Sequence, residues 1–183
     1  VIFHSSLTCE SGFDKTQHAK GILKAIIHEK YEKDLKAEKL VADIALVVLE
    51  EDIPEGYEIF KIADPRKIES GNEDLFLYGF GVTKSNSKDS GILRKLKLEA
   101  SLYDIIFSED RVKLRQTEKG ICKGDSGGPS FVKVENELQI LGINSYVYGP
   151  SDNVCTQEGS QTLADSYRDW INEKLAEIEK TSL

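Results

Sequence analysis

The chain has 183 residues, 39% hydrophobic and 31% charged, which is enough apolar content for one domain or a compact pair of subdomains. A net charge of −8 argues against a nucleic-acid partner, because phosphate binding needs an excess of Lys and Arg. The longest clean apolar run, residues 44–49, is far too short to span a bilayer, and three scattered histidines give no expectation of a metal site.

In chain order the first strand expected is Ile22–Ile27. Residues 31–39 are strongly charged and read as a solvated loop or helical turn. Residues 44–49 form a continuous apolar run, as for a strand covered on both faces. Residues 75–81 are a further strand, and 84–90 an exposed polar loop. In Leu96-Lys97-Leu98-Glu99-Ala100 apolar residues alternate with charges, and 111–115 alternates similarly, so one face of each strand lies in a core. Residues 130–134 and 138–146 flank Glu135-Asn136-Glu137 and predict a hairpin. The period then changes. Trp170, Ile171, Leu175 and Ile178 fall at helical spacing, with Asp165 or Ser166 to cap the start, so a C-terminal helix is expected to pack on the body and carry no chemistry. Many short strands at this spacing point to a sandwich or barrel.

The stretch Lys123-Gly124-Asp125-Ser126-Gly127-Gly128-Pro129 carries the chemistry. A nucleophilic serine needs an exposed hydroxyl and nearby backbone N–H groups for an oxyanion. Glycine around it allows the tight turn that aims those groups. A second candidate is Asp43, just before the apolar run Ile44-Ala45-Leu46-Val47-Val48-Leu49. A carboxylate there would be buried enough to fix a histidine tautomer.

Gly124-Asp125-Ser126-Gly127-Gly128-Pro129 matches, without change, the nucleophile signature of trypsin/chymotrypsin-like serine endopeptidases. Asp43-Ile44-Ala45-Leu46 resembles their aspartate motif, with Ala42 in place of the usual Asn. Ile26-Ile27-His28-Glu29-Lys30-Tyr31, Tyr78-Gly79-Phe80-Gly81 and Leu141-Gly142-Ile143-Asn144-Ser145-Tyr146 resemble further family segments in the same order, as does the ending through Trp170-Ile171. The resemblance implies an all-β fold of two antiparallel six-stranded β-barrels with a C-terminal helix. The whole chain would be one peptidase domain, divided as 1–82, 83–164 and 165–183. It implies a polypeptide substrate and a reaction that needs no cofactor, through an acyl-enzyme on Ser126 assisted by Asp43, with the N–H groups of Gly124 and Ser126 as oxyanion hole. The alternative is an inactive relative of the same fold that binds peptides.

The same resemblance implies a Cys122–Cys155 disulfide and an oxidising compartment, secreted or periplasmic. It places the specificity pocket at Gly120, Ile121, Lys123, Ser145, Tyr146, Val147 and Gly159. Without a carboxylate there, cleavage should follow apolar residues, small ones included, since Ile121 and Val147 narrow the slot; Glu158 is the one neighbour able to reverse this. Asp125 takes the place that pairs with a newly freed N-terminal ammonium when a zymogen of the family is activated, and Val1-Ile2-Phe3-His4 does not resemble that terminus. The family's Thr-Ala-Ala-His-Cys run is not found. The catalytic histidine is therefore either His18 or one in a segment missing after about Thr16. A single missing segment would also account for Cys9 lacking its family partner. His28 matches a histidine that is not catalytic in the family. No leader opens the chain and no methionine occurs, so a processed, truncated or incomplete chain is expected.

Overall fold

The computed structural model describes residues 1, 3, 19–34, 39–68, 73–106 and 109–181. Among them the chain forms strands β1 (Ile22–Ile27), β2 (Glu32–Asp34), β3 (Lys39–Val41), β4 (Ala45–Leu49), β5 (Leu75–Gly79), β6 (Arg94–Leu98), β7 (Tyr103–Ile106), β8 (Arg111–Arg115), β9 (Pro129–Val134), β10 (Glu137–Tyr148) and β11 (Glu158–Leu163). A helix, α1 (Arg168–Thr181), closes it. The expected architecture, mostly β with a C-terminal helix, is the one adopted.

Seven strands make one sheet in the order β6-β5-β9-β10-β11-β8-β7. Its two edge strands, β6 and β7, are consecutive in the chain and joined only through the short 3-10 turn Ala100–Leu102. That short link keeps one end of each edge strand near the other, and the sheet is curled. Inward-facing residues of every strand fill the curl: Leu75 and Leu77 of β5, Leu98 of β6, Tyr103 of β7, Val112 and Leu114 of β8, Val132 of β9, Leu141 of β10 and Leu163 of β11. The alternation read at 96–98 and 111–115 thus reports this core. β5, on the N-terminal side of the expected division at 82/83, pairs with β6 and β9 in this sheet. The expected hairpin is β9–β10, turned by Glu135 and Asn136 at φ 51° and 71°, the left-handed pair that matches strand twist.

Two expectations need correction. Residues 31–39 are not a loop or helical turn throughout: β2 and β3 pair antiparallel, Glu32 opposite Val41 and Asp34 opposite Lys39. Backbone pairing over three residues requires no apolar pattern, so none announces it. The run at 44–49 is not covered on both faces. Among the described residues β4 pairs only with β1, and Val47 is 46% exposed, with Ile22, Leu23 and Ile27 of β1 also exposed.

Ahead of α1 the chain makes the 3-10 turn Ala164–Tyr167, and the Asp165 carboxylate takes the Arg168 guanidinium instead of serving as a side-chain cap. The helix braces the segment that carries Asp43. Ala42 and Ile44 are buried against Tyr167, with Trp170, Ile171 and Ile143 around them. The ring of His28 packs on Tyr167 and Trp170, its Nδ1 accepting from the Lys30 N–H. Trp170 Nε1 donates to Glu29, which also pairs with Lys174 at 3.0 Å. His28 is thus a packing residue, as the resemblance implies. Replacing Trp170 by alanine is expected to cost about 2–3 kcal/mol, less than a fully buried aromatic, and to lower Tm by roughly 4–12 °C. Thermal unfolding checks this, and an unchanged Tm contradicts the bracing role.

Candidate active site

Ser126 sits on the loop that joins Cys122 to β9. Two turns shape that loop: Asp125 N–H donates to Cys122 O at 3.1 Å and Gly128 N–H to Asp125 O at 3.0 Å. Gly124 and Gly127 take φ of +93° and +81°, values open to glycine and costly for other residues. At Gly124 space is limiting as well, since an added Cβ would stand 3.1 Å from Gly81 Cα. The loop is stitched to β10 by Gly127 N–H to Asn144 O and Asn144 N–H to Gly128 O, both 2.8 Å. The Ser126 side chain is left exposed, and its hydroxyl donates to Ser145 O at 3.3 Å.

Beneath the loop lies a buried polar chain that sequence reading did not find. Ser130 Oγ donates to Gln161 Oε1 at 2.8 Å, and Gln161 Nε2 to Asn144 Oδ1 at 2.6 Å. Asn144 Nδ2 then donates to Asp125 O at 3.1 Å and Tyr78 O at 3.3 Å. Every member is satisfied, so the chain fixes the loop at little cost.

Asp43 follows Ala42, which is held at φ 47°, a strained region for alanine. Its flanking side chains are buried and its carboxylate turns toward β10. There Ser145 Oγ donates to Asp43 Oδ2 at 2.5 Å, and Thr162 Oγ1 donates to Asp43 O at 2.8 Å. Ser145 is thus the common neighbour of the two expected residues, its carbonyl facing Ser126 and its hydroxyl holding Asp43. His18, His4 and Cys9 lie outside the described residues.

The Asp125 carboxylate is held by backbone alone: Oδ1 accepts from Gly81 N–H at 2.7 Å and Oδ2 from Cys122 N–H at 2.8 Å. Gly79 and Gly81 make room for it, since an added Cβ would come within 2.0 Å of Oδ1 and 2.6 Å of Cγ respectively. It lines a cavity of about 220 Å³ with Gly81, Lys119, Gly120 and Ile121. In Asp125→Asn the amide nitrogen must face one of the two N–H groups. The variant should lose about 1–3 kcal/mol, read as a lower Tm, and an unaltered unfolding curve would contradict this.

Cys122 and Cys155 are joined as a disulfide. Beside it Val147 stands opposite Gly159 in the β10–β11 pairing, and Ile121 is 4% exposed. Glu158 is exposed and neighbours Gly159 along an extended strand, so its side chain leaves on the opposite face. Gln116, which no sequence motif marks, is 2% exposed. Its Nε2 donates to Ile121 O at 3.1 Å and Cys155 O at 3.3 Å, and its Oε1 accepts from Ile121 N–H at 2.9 Å. A Cβ at Gly120 would stand 2.1 Å from Gln116 Cδ, and one at Gly159 2.4 Å from Oε1. The Gln116 amide therefore occupies the space that both glycines leave. Among the described residues no cluster of metal-binding side chains occurs, and no helix is long and apolar enough to cross a membrane.

Comparison with known proteins agrees with this geometry. Over 176 residues the chain is 26% identical to chymotrypsin-like elastase family member 1 of Canis lupus familiaris, covering 89% of the chain and 67% of that protein. The Rattus norvegicus protein of the same name is 25% identical over 175 residues, covering 89% of the chain and 65% of its own length. Coagulation factor XI of Bos taurus is 30% identical over 166 residues, covering 84% of the chain and 26% of that protein. The chain thus spans about two thirds of the elastase relatives and about a quarter of factor XI. Residues 8–171 match the family described as Trypsin, and the chain belongs to that family.

Proposed function

We propose that this protein is a serine endopeptidase acting through an acyl-enzyme on Ser126. The observation that carries the reading is the convergence on Ser145: the exposed Ser126 hydroxyl at its carbonyl, and Asp43 on its hydroxyl. A histidine between Asp43 and Ser126 takes the Ser126 proton as Oγ bonds to the scissile carbonyl carbon. The N–H groups of Gly124 and Ser126 receive the oxyanion. The C–N bond then breaks, the amine leaves with the proton, and water hydrolyses the ester. The base is a histidine of a segment missing after about Thr16 or, within this sequence, His18, the one that falls in roughly the right chain order. Asp125, beside its cavity, is the residue to be reorganised by a freed N-terminal ammonium in a zymogen. The disulfide favours an oxidising, extracytoplasmic compartment.

The substrate is a polypeptide, read through a pocket of Gly120, Ile121, Val147 and Gly159, with Lys123, Ser145 and Tyr146 along its mouth. Gln116 supports a shallow, uncharged floor. Gly120, Ile121, Val147 and Gly159 offer no carboxylate to a buried Arg or Lys side chain, and Asp125 beside them already accepts from two backbone N–H groups, so such a side chain would cost on the order of 3 kcal/mol. Peptide esters varied at the residue before the scissile bond test this. Those with Ala, Ser or Val should exceed those with Arg or Lys by roughly 100-fold in kcat/KM. A profile dominated by Arg or Lys overturns the pocket reading. Hydrolysis of no ester at all overturns the peptidase reading.

A further inference from the structure

Arg111, the first residue of β8, is 6% exposed and stands opposite Thr162 in the pairing with β11. A guanidinium taken out of water is costly unless its donors are used. Its Nη1 donates to Ser145 Oγ at 3.1 Å and to Thr162 Oγ1 at 3.3 Å, and its plane lies near the Tyr146 ring, 5.6 Å from the centroid. Both hydroxyls then converge on one residue. Ser145 donates to the Asp43 carboxylate and Thr162 to the Asp43 carbonyl.

The direction of these bonds follows from the groups themselves. A guanidinium carries donors only, and a hydroxyl has one proton to give. A hydroxyl that accepts from Arg111 must therefore send its single proton the other way, and for both hydroxyls the other way is Asp43. Without the cation each hydroxyl is free to rotate and donate elsewhere, for example Ser145 to a neighbouring carbonyl.

We propose that Arg111 is a positioning residue, which locks the Ser145 and Thr162 hydroxyls as donors to Asp43 and so holds that carboxylate in place for the reaction. The inference rests on the reading of Asp43 as the carboxylate that orients the catalytic base. It places a buried cation two hydrogen bonds behind that carboxylate, on the side away from solvent.

Two measurements test it. In a thermal double-mutant cycle of Arg111→Met and Asp43→Asn, the double variant should lose less Tm than the sum of the singles, by roughly 2–6 °C. Steady-state hydrolysis of the preferred peptide ester by Arg111→Met should show kcat down roughly tenfold or more, with KM within about twofold. Arg111→Lys, which keeps a donor-only cation, should recover part of kcat. Additive Tm losses overturn the inference whatever the activity. So does a variant that raises KM while kcat is unchanged, or an Arg111→Lys no better than Arg111→Met at equal stability. If the wild type hydrolyses no ester, the peptidase reading fails separately, and the thermal cycle alone decides the placement of Asp43 by Arg111. Should Arg111→Met not fold, the cycle is run with Arg111→Gln, which is polar and uncharged and can accept as well as donate.

Discussion

Ser126→Ala is expected to remain folded and to lose hydrolysis by a factor on the order of 10⁵. The two halves of this expectation have separate causes. Ser126 is exposed, and its side chain makes a single hydrogen bond, to Ser145 O at 3.3 Å. Removing one long, solvent-facing bond should cost under about 1 kcal/mol. The loop keeps its shape through Gly124, Gly127, the two backbone turns and the buried Asn144 and Gln161 amides. Catalysis falls because no other group can carry the acyl chain at that point. The Gly124 and Ser126 N–H groups proposed as oxyanion donors survive in the variant, so a small residual rate above the uncatalysed one is expected. Thermal unfolding and kcat measured on one preparation check both halves. Retention of more than a tenth of the activity would remove Ser126 from the mechanism.

The second large effect concerns the disulfide. Cys122→Ala with Cys155→Ala opens a link across 33 positions of sequence. In the chain-entropy account this is worth about 3–4 kcal/mol, and Tm should fall by roughly 10 °C. The loss should also reach the site. Cys122 N–H holds the Asp125 carboxylate and Cys155 O holds the Gln116 amide. When the two backbones are free to part, the Asp125 turn and the Gln116 amide loosen together, so kcat/KM should drop by more than the unfolding equilibrium explains. Calorimetry and steady-state kinetics below the transition test this. An unchanged Tm would show that native packing alone sets the geometry.

Much of the candidate site was legible because its parts are local. Gly124-Asp125-Ser126-Gly127-Gly128 announces a turn that only glycines permit, and the φ values at Gly124 and Gly127 bear out that need. The apolar run after Asp43 was legible as a strand, but its environment was not. Coverage is a property of neighbours, and β4 pairs among the described residues only with β1. Arg111 illustrates the harder case. In Arg111-Val112-Lys113-Leu114-Arg115 alternation assigns the charged positions to solvent, and Arg115 obeys while Arg111 is buried. Its partners lie 34 and 51 positions away, on two other strands, so only the sheet order brings them to it. Gln116 escaped notice for a related reason. A polar residue after a strand reads as a loop, and the space it fills is made by two glycines that its side chain meets only in the fold. The hairpin of β2 and β3 left no trace in the pattern, because three residues a side are too few to show a period of two.

Covalent labelling tests most directly whether Ser126 is an activated nucleophile. A fluorophosphonate reacts with an activated serine by forming a P–O bond and expelling fluoride, and scarcely with an ordinary hydroxyl. Intact-mass analysis of the labelled protein should show one adduct, peptide mapping should place it on Ser126, and Ser126→Ala should take up none. A protein that stays unlabelled, or an adduct that persists in Ser126→Ala, would contradict the assignment.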